Sequence, residues 1–353
     1  MPRRNTKEIK IGNLKIGGGN PITVQSMTKT TTSDIDATVK QIHELEKEGC
    51  QIVRCAVPNK ESALALKEIK KQINIPLVAD IHFNHQYAIM SAEAGVDKLR
   101  INPGNIGDHD KIKAVVDAAR AHQIPIRVGV NSGSLEKEIR KRYNGHVTAE
   151  GLVKSALKNV QILEDLDFHD IVLSLKATSV PMTIQAYQMI SKKTNYPLHV
   201  GITEAGIPKI GIVRSAAGVG AILSQGIGDT IRVSLTGDPV EEVRVGYEIL
   251  KSLELAYHGM TIISCPTCGR ADIAVIQIAQ EVEERTRRIK QPLTVAIMGC
   301  EVNGPGEAAD ADVGLAGGMG VGLIFREGQI VRKVPESEMV DALVDEIESM
   351  AIK

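Results

Sequence analysis

The stretch Cys-Gln-Ile-Val-Arg-Cys-Ala-Val-Pro (50–58), followed by Asn59 and a charged run to Lys71, decides the fold. A short β-branched segment ends in a proline. Asn59 or Lys60 then opens a helical stretch in which apolar residues recur every three or four positions. Outward from it the same unit returns, with runs at Pro21–Met27, Pro76–Phe83, Lys98–Asn105, Pro125–Gly133, Asp170–Thr178, Pro197–Gly206 and Thr230–Gly237. Ser33 and Asp34 supply N-cap chemistry ahead of the first helix, Asp34–Glu48. Strands alternating with helices at this spacing predict parallel βα units, and eight of them in about 215 residues predict a closed (β/α)8 barrel of the TIM type. An open doubly wound sheet is the alternative, but no G-x-G-x-x-G turn opens the first helix. The segment Leu135–Thr148 interrupts the rhythm with an extra basic helix, for which a solvated charged face is the default reading.

Composition narrows the function. The 353 residues are 43% hydrophobic and 24% charged, as in an ordinary globule with a real core. A net charge of −1 and 3% aromatic residues argue against a nucleic-acid or anionic-membrane partner. No apolar region follows the basic start, and no segment has the length of a membrane span. An odd number of cysteines, five in all, points to a reducing compartment, and the expected location is cytoplasmic.

Barrel enzymes place their chemistry at the C-terminal ends of the strands. Those ends read Arg54, Asp80 with His82, Arg100 with Asn102, Arg127 with Asn131, Lys176, Glu204, and Arg232 with Ser234. Positions 176, 204 and 232 are 28 apart in turn, which predicts a common level. Guanidinium groups match phosphate oxygens bidentately, so a ring of cations suggests a substrate with more than one phosphate. A single arginine of the set can equally well pair with Asp80 or Glu204. His82 and Glu204 are the titratable candidates for proton work. Cys50 and Cys55 read as core thiols.

A smaller α+β domain is expected after a boundary near 255–262, dividing the chain into 1–258 and 259–353. It carries Cys-Pro-Thr-Cys-Gly-Arg (265–270) and Cys-Glu-Val-Asn-Gly-Pro-Gly-Glu (300–307), with strands expected at Thr261–Ser264 and Leu293–Gly299 and a helix over Ala271–Ile289. A closed zinc site takes four Cys or His ligands, and no histidine lies between Cys265 and Cys300 or beyond. A redox pair leaves Cys300 unexplained. An iron–sulfur cluster held by Cys265, Cys268 and Cys300 uses all three thiols and leaves one iron open. On local chemistry alone, a phosphate-binding barrel lyase or synthase with a structural zinc domain remains the alternative.

Further motifs carry a resemblance: Val-Gln-Ser-Met-Thr (24–28), Val-Ala-Asp-Ile-His-Phe (78–83), Leu-Arg-Ile-Asn-Pro-Gly-Asn (99–105), Ile-Arg-Val-Gly-Val-Asn-Ser-Gly-Ser-Leu (126–135), Ser-Leu-Lys-Ala-Thr (174–178), Gly-Ile-Thr-Glu-Ala-Gly (201–206) and Ile-Arg-Val-Ser-Leu-Thr (231–236). With the cysteine segments, they make the chain resemble the bacterial 4-hydroxy-3-methylbut-2-enyl diphosphate synthases of the non-mevalonate isoprenoid pathway. The resemblance implies reductive ring opening and dehydration of 2-C-methyl-D-erythritol 2,4-cyclodiphosphate. It implies a [4Fe–4S] cluster on Cys265, Cys268 and Cys300, with Glu307 on the fourth iron. Arg54, Arg100, Arg127, Lys176, Ser234 and, less closely, Arg232 fall at diphosphate-binding positions. Asn131 and Glu204 fall near the reacting carbons, with Glu204 the candidate for proton transfer, and His82 falls in a matching motif and is a further catalytic candidate. Flavodoxin or ferredoxin as electron donor, and a homodimer with a shared active site, are also implied.

Overall fold

The structure is a computed structural model and describes residues 2–300 and 310–351. Glu307, the expected fourth cluster ligand, lies outside the described residues. The chain divides into two compact units, Met1–Ala256 and Tyr257–Lys353.

The first unit opens with a hairpin, β1 (Ile9–Ile11) and β2 (Leu14–Ile16), that sequence reading did not anticipate. Its turn needs Gly12, which stands at φ +57°; an added Cβ there would lie 2.7 Å from Asp97 Oδ1. Eight parallel strands follow: β3 (Thr23–Met27), β4 (Ile52–Ala56), β5 (Leu77–Asp80), β6 (Lys98–Ile101), β7 (Ile126–Asn131), β8 (Ile171–Lys176), β9 (His199–Val200) and β10 (Thr230–Ile231). They pair in the order β8-β7-β6-β5-β4-β3-β10-β9. A parallel bridge between Leu173 and Leu198 joins the two ends and closes the barrel, as eight βα units predict.

The helices start where the sequence signals them. Asp34 caps Ile35–Lys47 by accepting from Ala37 N, and Asn59 caps Lys60–Gln72 by accepting from Ser62 N. Their apolar faces bury residues such as Ile42, Leu45, Leu66 and Ile69 against the outward side chains of the strands, and both Cys50 and Cys55 belong to that core. Burial raises the Cys50 thiol to about 12 and the Cys55 thiol to about 11, as inert core thiols should be. Inside the barrel the floor is apolar: Ile52, Val78 and Val172 pack with Ile9, Ile11 and Ile16 of the hairpin. The extra basic segment forms a short helix, Lys137–Arg142.

The second unit is a five-stranded sheet in the order β11 (Thr261–Ser264), β12 (Thr294–Met298), β13 (Val313–Gly318), β14 (Val321–Arg326), β15 (Gln329–Pro335). The first three are parallel and the last three antiparallel, the mixed α+β arrangement expected. Met319-Gly320 and Glu327-Gly328, all at positive φ, form the two tight hairpin turns. Helices Val275–Thr286 and Met339–Ala351 bury Ile278, Val282, Leu343 and Ile347 with the sheet's Val295, Ile297, Val313 and Leu315. No described helix is long and apolar enough to cross a membrane.

Candidate active site

Two residues above the apolar floor the same strands turn polar. Ile52 is followed on the inward face by Arg54, Val78 by Asp80, and Val172 by Ser174 and Lys176. The buried charged residues include Arg54, Asp80, Lys98, Arg100, Arg127 and Lys176. Asp80 receives Arg100 Nη1 at 3.1 Å and lies 3.7 Å from Arg54 Nε and 3.8 Å from His82 Nε2. Arg54 also places Nε and Nη2 at 3.1 and 2.9 Å from Met27 Sδ, a weak acceptor. Arg100 reaches its place by crossing β7 at Gly129, where an added Cβ would lie 2.5 Å from Arg100 Nε.

Among the described residues a second buried acid, Glu242, joins this interior, and no motif in the sequence marks it. It sits in the first turn of Pro239–Ser252, is buried, and binds Arg232 Nη2 at 3.4 Å and Lys29 Nζ at 3.2 Å. It also accepts from Leu235 N and Ser26 Oγ, so it ties the loop after β10 to β3. Apolar periodicity alone gave no signal for this inward carboxylate.

Among the described residues, Lys98 Nζ, Arg100 Nε, Arg127 Nε and Nη1, and Arg232 Nε are buried without a hydrogen-bond partner. Asp80 and Glu242 cannot neutralise Arg54, Lys98, Arg100, Arg127, Lys176 and Arg232 together. Unpaired buried cations are costly, and an anion carrying several oxygens is the chemical complement of this set. The electrostatics agree. Burial, then the neighbouring arginines, push Arg127 well below its ordinary value, and burial takes Arg54 down to about 10. Burial also works against the Asp80 carboxylate, but Arg54 and Arg100 outweigh it and hold it well below the usual range.

The expected site residues do not all stand at one height. Arg127 is the second residue of β7 and pairs in register with Val172 of the floor, whereas Lys176 ends β8 and pairs with Asn131. Arg127 therefore lies deeper than Lys176. Asn131 and Ser234 are half-buried, and His82 and Glu204 are exposed. Glu204 adopts φ +53°, a left-handed conformation uncommon for a residue with a side chain, in the loop after β9. Asn102 is structural: it accepts from Gly104 N and caps the short helix Pro103–Ile106. Lys98 and His199, fully buried on β6 and β9, carried no motif and were missed.

In the second unit, Cys265 follows β11 and Cys300 follows its parallel neighbour β12, with Ser264 paired to Ile297. Gly299 N donates to Cys265 Sγ at 3.3 Å, which joins the two strand ends. Cys268 is exposed, and hydrogen bonds from the Arg270 side chain and backbone hold its thiol below the ordinary value. Among the described residues no three metal-ligating side chains are gathered on one point. The donor chemistry nonetheless suits a thiolate-bound group. Soft sulfur ligands come from adjacent strand ends, one is stabilised as a thiolate by an arginine, and another accepts a backbone N–H.

Comparison with known proteins agrees over both units. Residues 6–247 match the GcpE TIM-barrel domain, and residues 261–349 match the GcpE protein C-terminal domain. The chain belongs to the GcpE family. A relative of this GcpE chain from Caldanaerobacter subterraneus subsp. tengcongensis is 60% identical over 348 residues, covering 99% of this chain and 98% of that protein. Another, from Geobacillus thermodenitrificans, is 58% identical over 349 residues, covering 99% and 93%. Both are named 4-hydroxy-3-methylbut-2-en-1-yl diphosphate synthase (flavodoxin). Among solved structures, the dihydropteroate synthase of Stenotrophomonas maltophilia aligns with a TM-score of 0.52 at 13% identity, over 70% of this chain and 98% of that one. That of Yersinia pestis aligns at 0.50 and 12%, over 70% and 99%. These two share the barrel fold alone with the GcpE chain.

Proposed function

We propose that this chain performs the reaction its relatives are named for. It is a 4-hydroxy-3-methylbut-2-en-1-yl diphosphate synthase, an enzyme that takes 2-C-methyl-D-erythritol 2,4-cyclodiphosphate to the open-chain allylic diphosphate. Two electrons enter, the ring C–O bond to phosphate breaks, and a hydroxyl group leaves with a proton as water. The observation that carries the reading is the cationic barrel interior, whose surplus charge and orphaned N–H groups call for a diphosphate-sized anion.

In this reading Arg54, Arg100, Arg127, Lys176, Arg232 and Ser234 bind the diphosphate. Asp80 holds Arg54 and Arg100 ready for it, since their shared carboxylate limits the rotamers that a free guanidinium would sample. Glu242 does the same for Arg232. Asn131 and Glu204 stand by the carbon end, with Glu204 as the candidate for moving a proton and His82 as a second one beside Asp80. Residues 1–258 would serve as the substrate-binding domain and 259–353 as the redox domain. A [4Fe–4S] cluster held by Cys265, Cys268, Cys300 and Glu307 would supply electrons singly to the breaking C–O bond. Flavodoxin, named for the relatives, or ferredoxin would be the donor. A homodimer sharing its active sites would exclude water from the reduced substrate. Five free cysteines suit a reducing, cytoplasmic location.

The test is anaerobic purification followed by iron and sulfide analysis and an assay with the cyclic diphosphate and a strong one-electron reductant. About four irons and four sulfides per chain, with product formed, is the expected result. One zinc, no sulfide and no product after reconstitution would sink the reading in favour of a phosphate-binding barrel with a structural metal. Glu307→Ala is expected to weaken the cluster or slow turnover by orders of magnitude; an unchanged spectrum and rate would remove that ligand.

A further inference from the structure

We infer that His199, with Thr230 behind it, is a positioning residue for Lys176, holding the ammonium at the diphosphate site through a neutral ring. The inference rests on the reading of Lys176 as a diphosphate ligand. His199 is fully buried at the start of β9. Its Nε2 lies 3.4 Å from Lys176 Nζ, and its Nδ1 lies 2.6 Å from Thr230 Oγ1 on the neighbouring strand β10, in register with it.

The chemistry of the two partners settles the direction of this chain. Burial, then Arg232 and Arg127, push Lys176 well below its ordinary value; in the ammonium form that meets an anion it has only donors, so the ring nitrogen facing it then accepts. The ring proton then sits on Nδ1 and is donated to Thr230 Oγ1. A doubly protonated ring would set two cations against each other, and the surroundings disfavour it: burial, then Arg127 and Lys176, push His199 well below its ordinary value. The groups that face this pair are cations, namely Arg127 and Arg54 for both, with Lys98 near His199 and Arg232 and Arg100 near Lys176. No acid is among them, so a neutral acceptor is what this position has to offer Lys176.

Two further features hold the pair in place. Lys176 passes the chain just beyond β9 at Gly201, where an added Cβ would lie 2.7 Å from Nζ and 2.4 Å from the Arg232 carbonyl oxygen. Tyr187, also fully buried, donates its hydroxyl proton to the His199 carbonyl and accepts from Leu175 N, next to Lys176. The lysine is a point charge on a flexible four-carbon stem, without the preorganised fork of an arginine, and a ring acceptor at its head removes rotamer freedom before the anion arrives.

The experiment is a double-mutant cycle on the full-length protein, read by calorimetric titration with inorganic pyrophosphate and by turnover of the cyclic diphosphate. His199→Leu should weaken pyrophosphate binding about tenfold or more and raise KM more than it lowers kcat. In the Lys176→Ala background the same change should add almost nothing, because the two residues act as one unit. His199→Gln, which keeps an acceptor near Nε2, should recover most of the binding. Thr230→Val, which frees the tautomer at constant volume, should lose part of it and serves if His199→Leu does not fold. Additive losses, or wild-type affinity in both His199→Leu and Thr230→Val, would overturn the inference. Failure of the wild-type protein to bind pyrophosphate or substrate would instead overturn the assignment of the barrel site itself.

Discussion

The floor and the mouth of the barrel are built from the same strands and do opposite work. Ile52, Val78 and Val172 pack with the hairpin's Ile9, Ile11 and Ile16 in one apolar cluster. Two residues further along, or four, the inward positions are Arg54, Asp80 and Lys176. The floor stabilises the fold: each fully buried isoleucine contributes about 1.5–3 kcal/mol. The mouth works against it, because buried cations without partners lower the stability of the unliganded protein. A barrel can sustain such an interior because closure, the floor and the helical shell hold the strands regardless of what the upper layer carries.

The largest effect expected from this division is at the buried cations. Arg127→Met should weaken diphosphate binding about 100- to 1,000-fold, or roughly 3–4 kcal/mol, while the folded protein melts no lower than wild type. Calorimetry and thermal unfolding check the two halves of that statement. A lower melting point with unchanged affinity would mean that Arg127 is a core residue after all. The converse variant is Ile11→Ala in the floor. It should cost about 2–4 kcal/mol of stability in denaturant titration with kcat/KM of the remaining folded protein intact.

Lys98 sharpens the comparison, since it pairs in register with Val78 of the floor but ends in a titratable amine. Burial is the main cause that drives its pKa well below the ordinary lysine value of 10.5. Between that depressed value and 10.5 the unfolded chain binds more protons than the folded one, so stability rises with pH across the window. Lys98→Met should therefore stabilise the protein by about 1–3 kcal/mol near neutral pH. The gain should shrink as pH rises towards 10.5 and vanish above it. A gain independent of pH would show that packing, not charge, sets the difference.

Much of the site was legible before the fold was known, for a specific reason. Charged residues at the ends of β-branched runs, as at Arg54, Arg100 and Lys176, contradict the apolar environment around them, and such local conflicts mark function. His199 and Lys98 show the same conflict in a weaker form, each a lone polar residue at the start of its strand, and neither lies in a recurring motif. Glu242 was invisible because a glutamate in the first turn of a helix is ordinary helix chemistry. Arg127 was read as a strand-end residue but is the second residue of its strand, because the β-branched run continues past it to Asn131 and the run alone does not say where along it a charge sits.

The sequence by itself determined the βα repeat, the caps that start its helices, the division into a large and a small unit, and the charged residue types of the barrel interior. Those features depend on near neighbours along the chain, through alternation, periodicity and capping. Only the tertiary structure decided that Asp80 is shared by Arg54 and Arg100, that Glu242 enters the barrel from a helix, and that Lys176 rests on His199. Each of these depends on strand register and barrel closure, which bring together residues tens of positions apart and are not written in any one segment.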